Sequence, residues 1–177
     1  MGNWKAIAPD WSLDDDVRRR FEAVEKLVKG AVLDVGCRGG EFLLGLEPEP
    51  RMAVGIDIDS KYVAAANHAA RDREAFSFIE EDITRIDPSA VGTFDTVVCM
   101  ETLEHLTGDW HPVLEKLYGA VAAGGRLVVT VPANTHISDP DHKTTFFREG
   151  LIHELPDLKW VPGMPHIWIG FYLDRGG

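Results

Sequence analysis

The sequence predicts an α/β fold, a doubly wound and mostly parallel sheet with helices on both faces, and two observations carry that prediction. Short apolar runs typical of buried strands alternate with segments of helical periodicity. The connections between them are short, as expected where each helix crosses over between parallel strands. With 177 residues, the chain is expected to form a single domain over 1–177.

The stretch AVLDVGCRGGE at positions 31–41 organises this fold. Its apolar start predicts a buried strand over 31–35, and three glycines (Gly36, Gly39 and Gly40) predict a tight turn into a helix over 41–46. Glycines allow close backbone approach to a ligand, and the N–H groups at a helix start attract a carboxylate or phosphate. The turn is therefore a candidate ligand site.

A second strand over 52–57 ends at Asp57. An acid about 20 residues past a glycine turn binds a ribose diol in doubly wound sheets, so the ligand is expected to contain adenosine. A dinucleotide fingerprint, G-x-G-x-x-G, would need glycines at Arg38 and Glu41. The turn therefore disfavours NAD.

The remaining elements follow in order. Helical spacing of Val17, Phe21, Val24 and Val28 predicts an N-terminal helix within 1–30, preceded by a Ser12 cap. Helices are expected over 60–73 and 109–122, strands over 75–80, 94–100 and 126–131, a helix ending near Leu155, and an antiparallel closing pair near 158–162 and 167–173. Residues 1–30 would form a cover, 31–132 the cofactor-binding core, and 133–177 the substrate side.

Composition and net charge limit the kinds of partner that the protein is expected to bind. The net charge of −11, from 29 acidic and 18 basic residues, argues against nonspecific binding to nucleic acid or an anionic membrane. No apolar run approaches the ~20 residues of a membrane span, and the start lacks a signal-peptide core. A cytoplasmic protein with buried, reduced Cys37 and Cys99 is expected.

At this point the sequence resembles the class I S-adenosylmethionine-dependent methyltransferases, whose first motif commonly runs VLDVGCGTG. VLDVGC and Gly40 match it, while Arg38 stands at the middle glycine, where a side chain is accommodated if φ is negative. ETLEHL at 101–106 is similar to the family's EVLEHL. The resemblance implies a Rossmann-like sheet of seven strands and S-adenosylmethionine as the cofactor. It implies a cofactor pocket formed by Asp34, Gly36, Cys37, Gly40, Asp57, Ile58, Asp82, Ile83 and Met100, with Asp82 and Ile83 at the adenine.

The resemblance also implies methyl transfer to a small molecule, with oxygen or nitrogen as the accepting atom. A hydroxyl acceptor needs a base to take its proton. His105 is a candidate for that base, and so is His142, which with Phe146 matches the family's H-x-x-x-F segment. No metal is expected for this function.

Two alternatives remain. On a helix, Glu101, Glu104 and His105 would share one face, and a loop histidine could complete a divalent-metal site. This E-x-x-E-H pattern resembles the small-RNA 2′-O-methyltransferases, with His142 as the last ligand and His136 as its substitute. The acidic balance suits RNA poorly. The other alternative is a non-catalytic domain that binds the cofactor or a protein partner.

Overall fold

The computed structural model describes residues 15–133 and 139–177, which build one seven-stranded sheet with helices on both faces. The strands are β1 (Val32–Val35), β2 (Ala53–Asp57), β3 (Phe76–Glu80), β4 (Phe94–Met100), β5 (Val121–Pro132), β6 (Lys159–Trp160) and β7 (Trp168–Asp174). The α-helices are α1 (Asp15–Glu25), α2 (Glu41–Leu44), α3 (Ser60–Ala69), α4 (His111–Gly119) and α5 (Arg148–Glu154), and 3₁₀ turns lie at Pro88–Ala90 and Leu103–His105. The predicted Ser12 cap lies outside the described residues.

The strand order is β3-β2-β1-β4-β5-β7-β6. Strands β1 to β5 pair in parallel, and β7 runs antiparallel between β5 and β6. The predicted fold class is therefore confirmed. The order reverses direction between β1 and β4, and ligands in open α/β sheets bind outside the carboxyl ends of the strands at that switch point.

Both faces of the sheet are covered, so its central strands are apolar on both sides. Val32 faces a core formed with α1, α2 and α3, whereas Leu33 faces a second core formed with α4 and α5. Both residues are fully buried. This burial explains why β1 has no alternation of polar and apolar residues.

Several predicted boundaries are wrong. Helix α3 ends at Ala69 rather than near 73, and α4 ends at Gly119, because Val121 already pairs with Phe94 at the start of β5. Gly124 and Gly125 lie inside β5, which begins at Val121 rather than at the predicted position 126, and the β4–β5 register shifts between Phe94 and Thr96. Within the described residues, no helix is long and apolar enough to cross a membrane.

Candidate functional site

A crevice of about 890 Å³ opens at the carboxyl ends of β1, β2, β3 and β4. Eight of the nine predicted cofactor residues line it: Asp34, Gly36, Cys37, Asp57, Ile58, Asp82, Ile83 and Met100. His105 lines it as well. The structure thus brings together residues from four strand ends, as the switch point predicts.

Gly40, the ninth predicted residue, is not among the lining residues. It has a φ of 75°, and a Cβ atom there would lie 2.5 Å from the Phe78 ring. Its glycine identity therefore serves the packing of α2 against β3. Gly36, which does line the crevice, has a φ of 79°, and a Cβ there would meet the Thr102 hydroxyl at 2.0 Å.

Two backbone N–H groups, one before β2 in the chain and one after it, hold the Asp57 carboxylate. The Arg38 N–H donates to its Oδ2 over 2.8 Å, and the Asp59 N–H donates to its Oδ1 over 2.9 Å. An ionised carboxylate has about four lone-pair sites, so Asp57 can accept further hydrogen bonds from a ligand. The remaining acceptor sites of Asp57 fit the two hydroxyl donors of a ribose diol.

Arg38 adopts a φ of 48°, so it keeps the left-handed backbone that a glycine would provide rather than the negative φ that most easily accommodates a side chain. Its side chain turns onto the ring of Tyr62, with 5.0 Å between the guanidinium carbon and the ring centroid, and donates to the Tyr62 hydroxyl over 3.1 Å. The departure from the family motif therefore leaves the turn in a glycine-like conformation.

Asp34 lies in β1 with 2% of its surface exposed. Burial raises the pKa of Asp34 to about 8, the Glu41 and Asp57 carboxylates raise it further, and Arg20 opposes the rise. At neutral pH the Asp34 carboxyl of the free protein therefore keeps its proton, and its ionisation requires a nearby cation. A sulfonium cofactor with an ammonium group meets that requirement.

Arg20 is a site residue that sequence reasoning missed. Helix α1 places its guanidinium in the crevice, 4.5 Å from the Trp168 ring centroid, with Nη1 3.4 Å from Glu101 Oε2. Its buried Nε has no hydrogen-bond partner among the described residues. The run Arg18-Arg19-Arg20 is the only signal in the sequence, and it is typical of a solvated helix face.

The predicted common helical face of Glu101, Glu104 and His105 is wrong. Glu101 follows β4 with a φ of 50°, and the 3₁₀ turn begins only at Leu103. Its carboxylate accepts hydrogen bonds from the Trp168 indole N–H at 2.7 Å and the Thr130 hydroxyl at 3.0 Å. Burial raises the pKa of Glu101, and these donors together with Arg20 oppose the rise.

Glu104 instead lies close to both predicted histidines, His105 and His142. The ligand atoms of Glu104, His105 and His142 lie within 4.8 Å of one another. The Lys143 and Thr144 N–H groups donate to the Glu104 carbonyl over 2.6 and 3.1 Å, which docks the loop that carries His142.

Glu104 is 1% exposed, and neither of its carboxylate oxygens has a hydrogen-bond partner within the described part of the chain. Burial raises the pKa of Glu104 to about 9, with the Glu101 carboxylate as the next cause. Such a group needs a proton or a cation to be stable in this position.

A second cavity of about 520 Å³ adjoins the crevice. Its described lining is Glu101, Pro132, Asp139, Pro140, His142, Ile167 and Trp168. Glu101 and Asp139 line both cavities, so they mark the passage between them. The alternative ligand His136 lies outside the described residues.

Comparison with known proteins agrees with this geometry. A family model described as a methyltransferase domain matches residues 33–129. The tRNA U34 carboxymethyltransferase of Trichlorobacter lovleyi is 25% identical over 182 aligned residues, covering 97% of this chain and 51% of that protein. The ubiquinone biosynthesis O-methyltransferase of Coxiella burnetii is 27% identical over 139 residues, covering 72% of this chain and 58% of that protein. The chain thus spans only about half the length of these curated relatives.

Among solved structures, the N-methyltransferase NodS of Bradyrhizobium japonicum, in complex with S-adenosyl-L-homocysteine, has a TM-score of 0.75 at 18% identity, with 100% of both chains covered. The fold is that of the class I S-adenosylmethionine-dependent methyltransferases. The chain belongs to the methyltransferase-domain family. The predicted family and its cofactor, S-adenosylmethionine, are thereby confirmed.

Proposed function

We propose that this chain transfers a methyl group from S-adenosylmethionine to an oxygen or nitrogen atom of a small molecule. The observation that carries the proposal is the pair of adjoining cavities that meet at Glu101 and Asp139. One has the residues expected of a cofactor crevice, and the other, of about 520 Å³, is within the size range of small-molecule sites. The O-methyltransferase relative supports a small acceptor.

Different residues of the crevice would bind different parts of the cofactor. Asp57 would accept from the ribose hydroxyls, while Asp82 and Ile83 would border the adenine. Arg20 would donate from its unpartnered Nε to the carboxylate of the methionine part, and Asp34 would face the positive charge. When bound, the cofactor supplies an already activated methyl group.

The protein then has to orient the acceptor and, for a hydroxyl, remove its proton. His142 lines the acceptor cavity and His105 lines the crevice, with 5.0 Å between their ring centroids. Because His142 lines the proposed acceptor cavity, it is the stronger candidate for the base. His105 has its Nδ1 3.3 Å from the Asp141 carbonyl oxygen, which orients its ring.

The function is tested by titrating the purified protein with S-adenosyl-L-homocysteine in a calorimeter and by following methyl-labelled S-adenosylmethionine against a panel of small acceptors. We expect one binding site per chain and label transfer to at least one class of acceptor. Cofactor binding with no turnover would favour the non-catalytic domain. Absence of adenosyl-ligand binding would overturn the proposed function.

A metal-dependent RNA 2′-O-methyltransferase-like activity is the second candidate, and the unpartnered Glu104 carboxylate favours it. Glu104, His105 and His142 offer one oxygen and two nitrogen ligands, a set that suits a divalent transition metal. Glu101 does not belong to this set, because it faces Arg20 and Trp168. A bound cation would act on the terminal ribose of the RNA as a Lewis acid. The tRNA-modifying relative supports a nucleic-acid acceptor.

This candidate is tested by titrating chelator-treated protein with Mn²⁺ and following the paramagnetic resonance of the free ion. One bound ion per chain, lost in Glu104→Gln and kept in the exposed-site control Glu149→Gln, would support it. Equal Mn²⁺ binding by both variants, or none by the wild type, would remove the metal from the mechanism.

A further inference from the structure

Glu101 occupies the junction between the cofactor crevice and the acceptor cavity, since its side chain lines both. It follows β4 directly and has a φ of 50°, in a region that is unfavourable for a residue with a side chain. Unfavourable backbone conformations of this kind persist where surrounding contacts enforce them, and they cluster at functional sites. The contacts of Glu101 therefore indicate what the conformation achieves.

Three donors hold the Glu101 carboxylate. The Thr130 hydroxyl donates to Oε1 over 3.0 Å, the Trp168 indole donates to Oε2 over 2.7 Å, and Nη1 of Arg20 lies 3.4 Å from Oε2. A carboxylate offers about four lone-pair sites, so it can accept one more hydrogen bond. Its position at the junction makes a ligand the available donor.

The charge of the acceptor cavity indicates what kind of ligand donates that bond. Asp139 provides a second carboxylate at the same passage, 3.8 Å from His142 Nε2. No lysine or arginine lines the cavity among the residues that the structure describes. Arg20 offsets the charge of Glu101 from the crevice side, and the Asp139 carboxylate leaves the passage with an excess of negative charge. That excess favours a positively charged ligand with N–H donors and disfavours an anion.

We propose that the acceptor is a primary or secondary amine that binds as its ammonium ion to Glu101, with Trp168 and Thr130 as positioning residues for that carboxylate. The inference rests on the proposed methyl transfer and narrows it to nitrogen. The ammonium ion releases one proton to water. Its nitrogen lone pair then forms the new N–C bond while the S–C bond of the donor breaks, the bonding pair stays on sulfur, and the positive charge passes to nitrogen.

The test uses scaffolds that each exist as an amine, an alcohol and a carboxylate, such as phenethylamine, 2-phenylethanol and phenylacetate. Binding to protein saturated with S-adenosyl-L-homocysteine is measured by calorimetry, and methyl transfer is measured with labelled cofactor. We expect binding and labelling of amines alone. Amines that neither bind nor accept label, or alcohols or carboxylates that do so in their place, would overturn the proposal.

Matched variants locate the interaction. Glu101→Gln and Asp139→Asn should each weaken amine binding at least tenfold, whereas Glu115→Gln, on the exposed face of α4, should leave it unchanged. Asp139 lies in an exposed loop, so its variant remains informative if Glu101→Gln does not fold. Amine affinity that is unchanged in both variants would also overturn the proposal.

The positioning residues have a separate readout. Trp168→Phe and Thr130→Val should raise the KM for the amine more than they lower kcat, with the affinity for S-adenosyl-L-homocysteine changed less than threefold. Equal losses of amine and cofactor-product binding would mean a structural role only. Failure of the wild type to bind the cofactor product would instead overturn the underlying methyltransferase function, so the two failures are distinguishable.

Discussion

Asp57 is held at the end of β2 by the backbone N–H groups of Arg38 and Asp59, so its carboxylate is oriented before any ligand binds. Only 9% of the residue is exposed. A ligand hydroxyl that pairs with this carboxylate loses its partner when the carboxylate is removed. The cost of that loss falls on the ligand complex and can be measured directly.

Asp57→Ala should therefore weaken binding of S-adenosyl-L-homocysteine by about 1–3 kcal/mol, the penalty for buried hydroxyls left unpaired. Calorimetry measures the change. Glu80→Gln is the matched control, because Glu80 pairs with Asp57 in the β2–β3 ladder but is exposed and does not line the crevice. Equal affinities of Asp57→Ala and the wild type would contradict the ribose role.

The raised pKa of Asp34 predicts that the stability of the fold depends on pH. Its folded pKa of about 8 lies above its unfolded value, so the folded state binds one more proton than the unfolded state at neutral pH. The free energy of unfolding of the free protein should fall as pH rises toward 8, by about 1.4 kcal/mol per pH unit for this one group. Asp34→Asn should remove that part of the slope.

Urea unfolding between pH 6 and pH 7.5 measures the slope. The exposed-site variant Asp72→Asn should retain the wild-type value, since Asp72 lies in the solvent-accessible turn after α3. If Asp34→Asn and the wild type have parallel profiles, Asp34 is already ionised in the folded protein.

Helices α4 and α5 are joined at the surface by His111. Its Nδ1 lies 2.5 Å from Asp109 Oδ1, and its Nε2 lies 3.1 Å from Glu154 Oε2. The Asp109 hydrogen bond raises the pKa of His111 most, and the Glu154 carboxylate adds to the rise. This link ties the helix after the 3₁₀ turn to the helix that follows the His142 loop.

The contribution of His111 to stability should be fully present below its unfolded pKa of about 6.5 and lost as pH rises through the higher folded value. His111→Gln should remove it. Because the pair is half exposed, the effect should be at most about 1 kcal/mol. Urea unfolding at pH 5.5 and pH 8.5 measures it, with His153→Gln on α5 as the control; a pH-independent difference would exclude an ionic link.

At the scale of elements, sequence patterns predict those strands and turns that are determined by residues close together in the sequence. The VLDVGC strand and glycine turn, and the acid ending β2, were all located from spacing. The end of α4 was misplaced because the pairing of Val121 with Phe94 decides it, and that contact joins residues distant in sequence. Helical periodicity near Glu104 was overridden by the left-handed Glu101, which tertiary contacts with Trp168 enforce.

At the scale of the whole molecule, the site collects side chains from α1 to β7. The cofactor crevice could be predicted because most of its residues directly follow strands whose carboxyl ends meet. Arg20 and Trp168 could not be predicted, since neither lies in a motif and their contact at Glu101 depends on how the chain folds back. The unpartnered Glu104 carboxylate is likewise visible only in three dimensions.

Because the crevice collects side chains from across the fold, ligand binding is expected to raise the Tm of the protein. At 100 times its dissociation constant, S-adenosyl-L-homocysteine should stabilise the fold by about 2.7 kcal/mol. For a chain of this size, that corresponds to a rise in Tm of about 5–10 °C. Differential scanning calorimetry measures it, and the rise should shrink in Asp57→Ala at the same ligand concentration. A Tm that does not respond to ligand would contradict the crevice assignment.

The position of β7 between β5 and β6 bears on how the protein is made. Trp168, which holds Glu101 at the junction of the two cavities, belongs to a strand that is translated after both of its neighbours. The strands β1 to β4, whose carboxyl ends form the cofactor crevice, therefore precede in synthesis the residue that holds Glu101 beside the acceptor cavity.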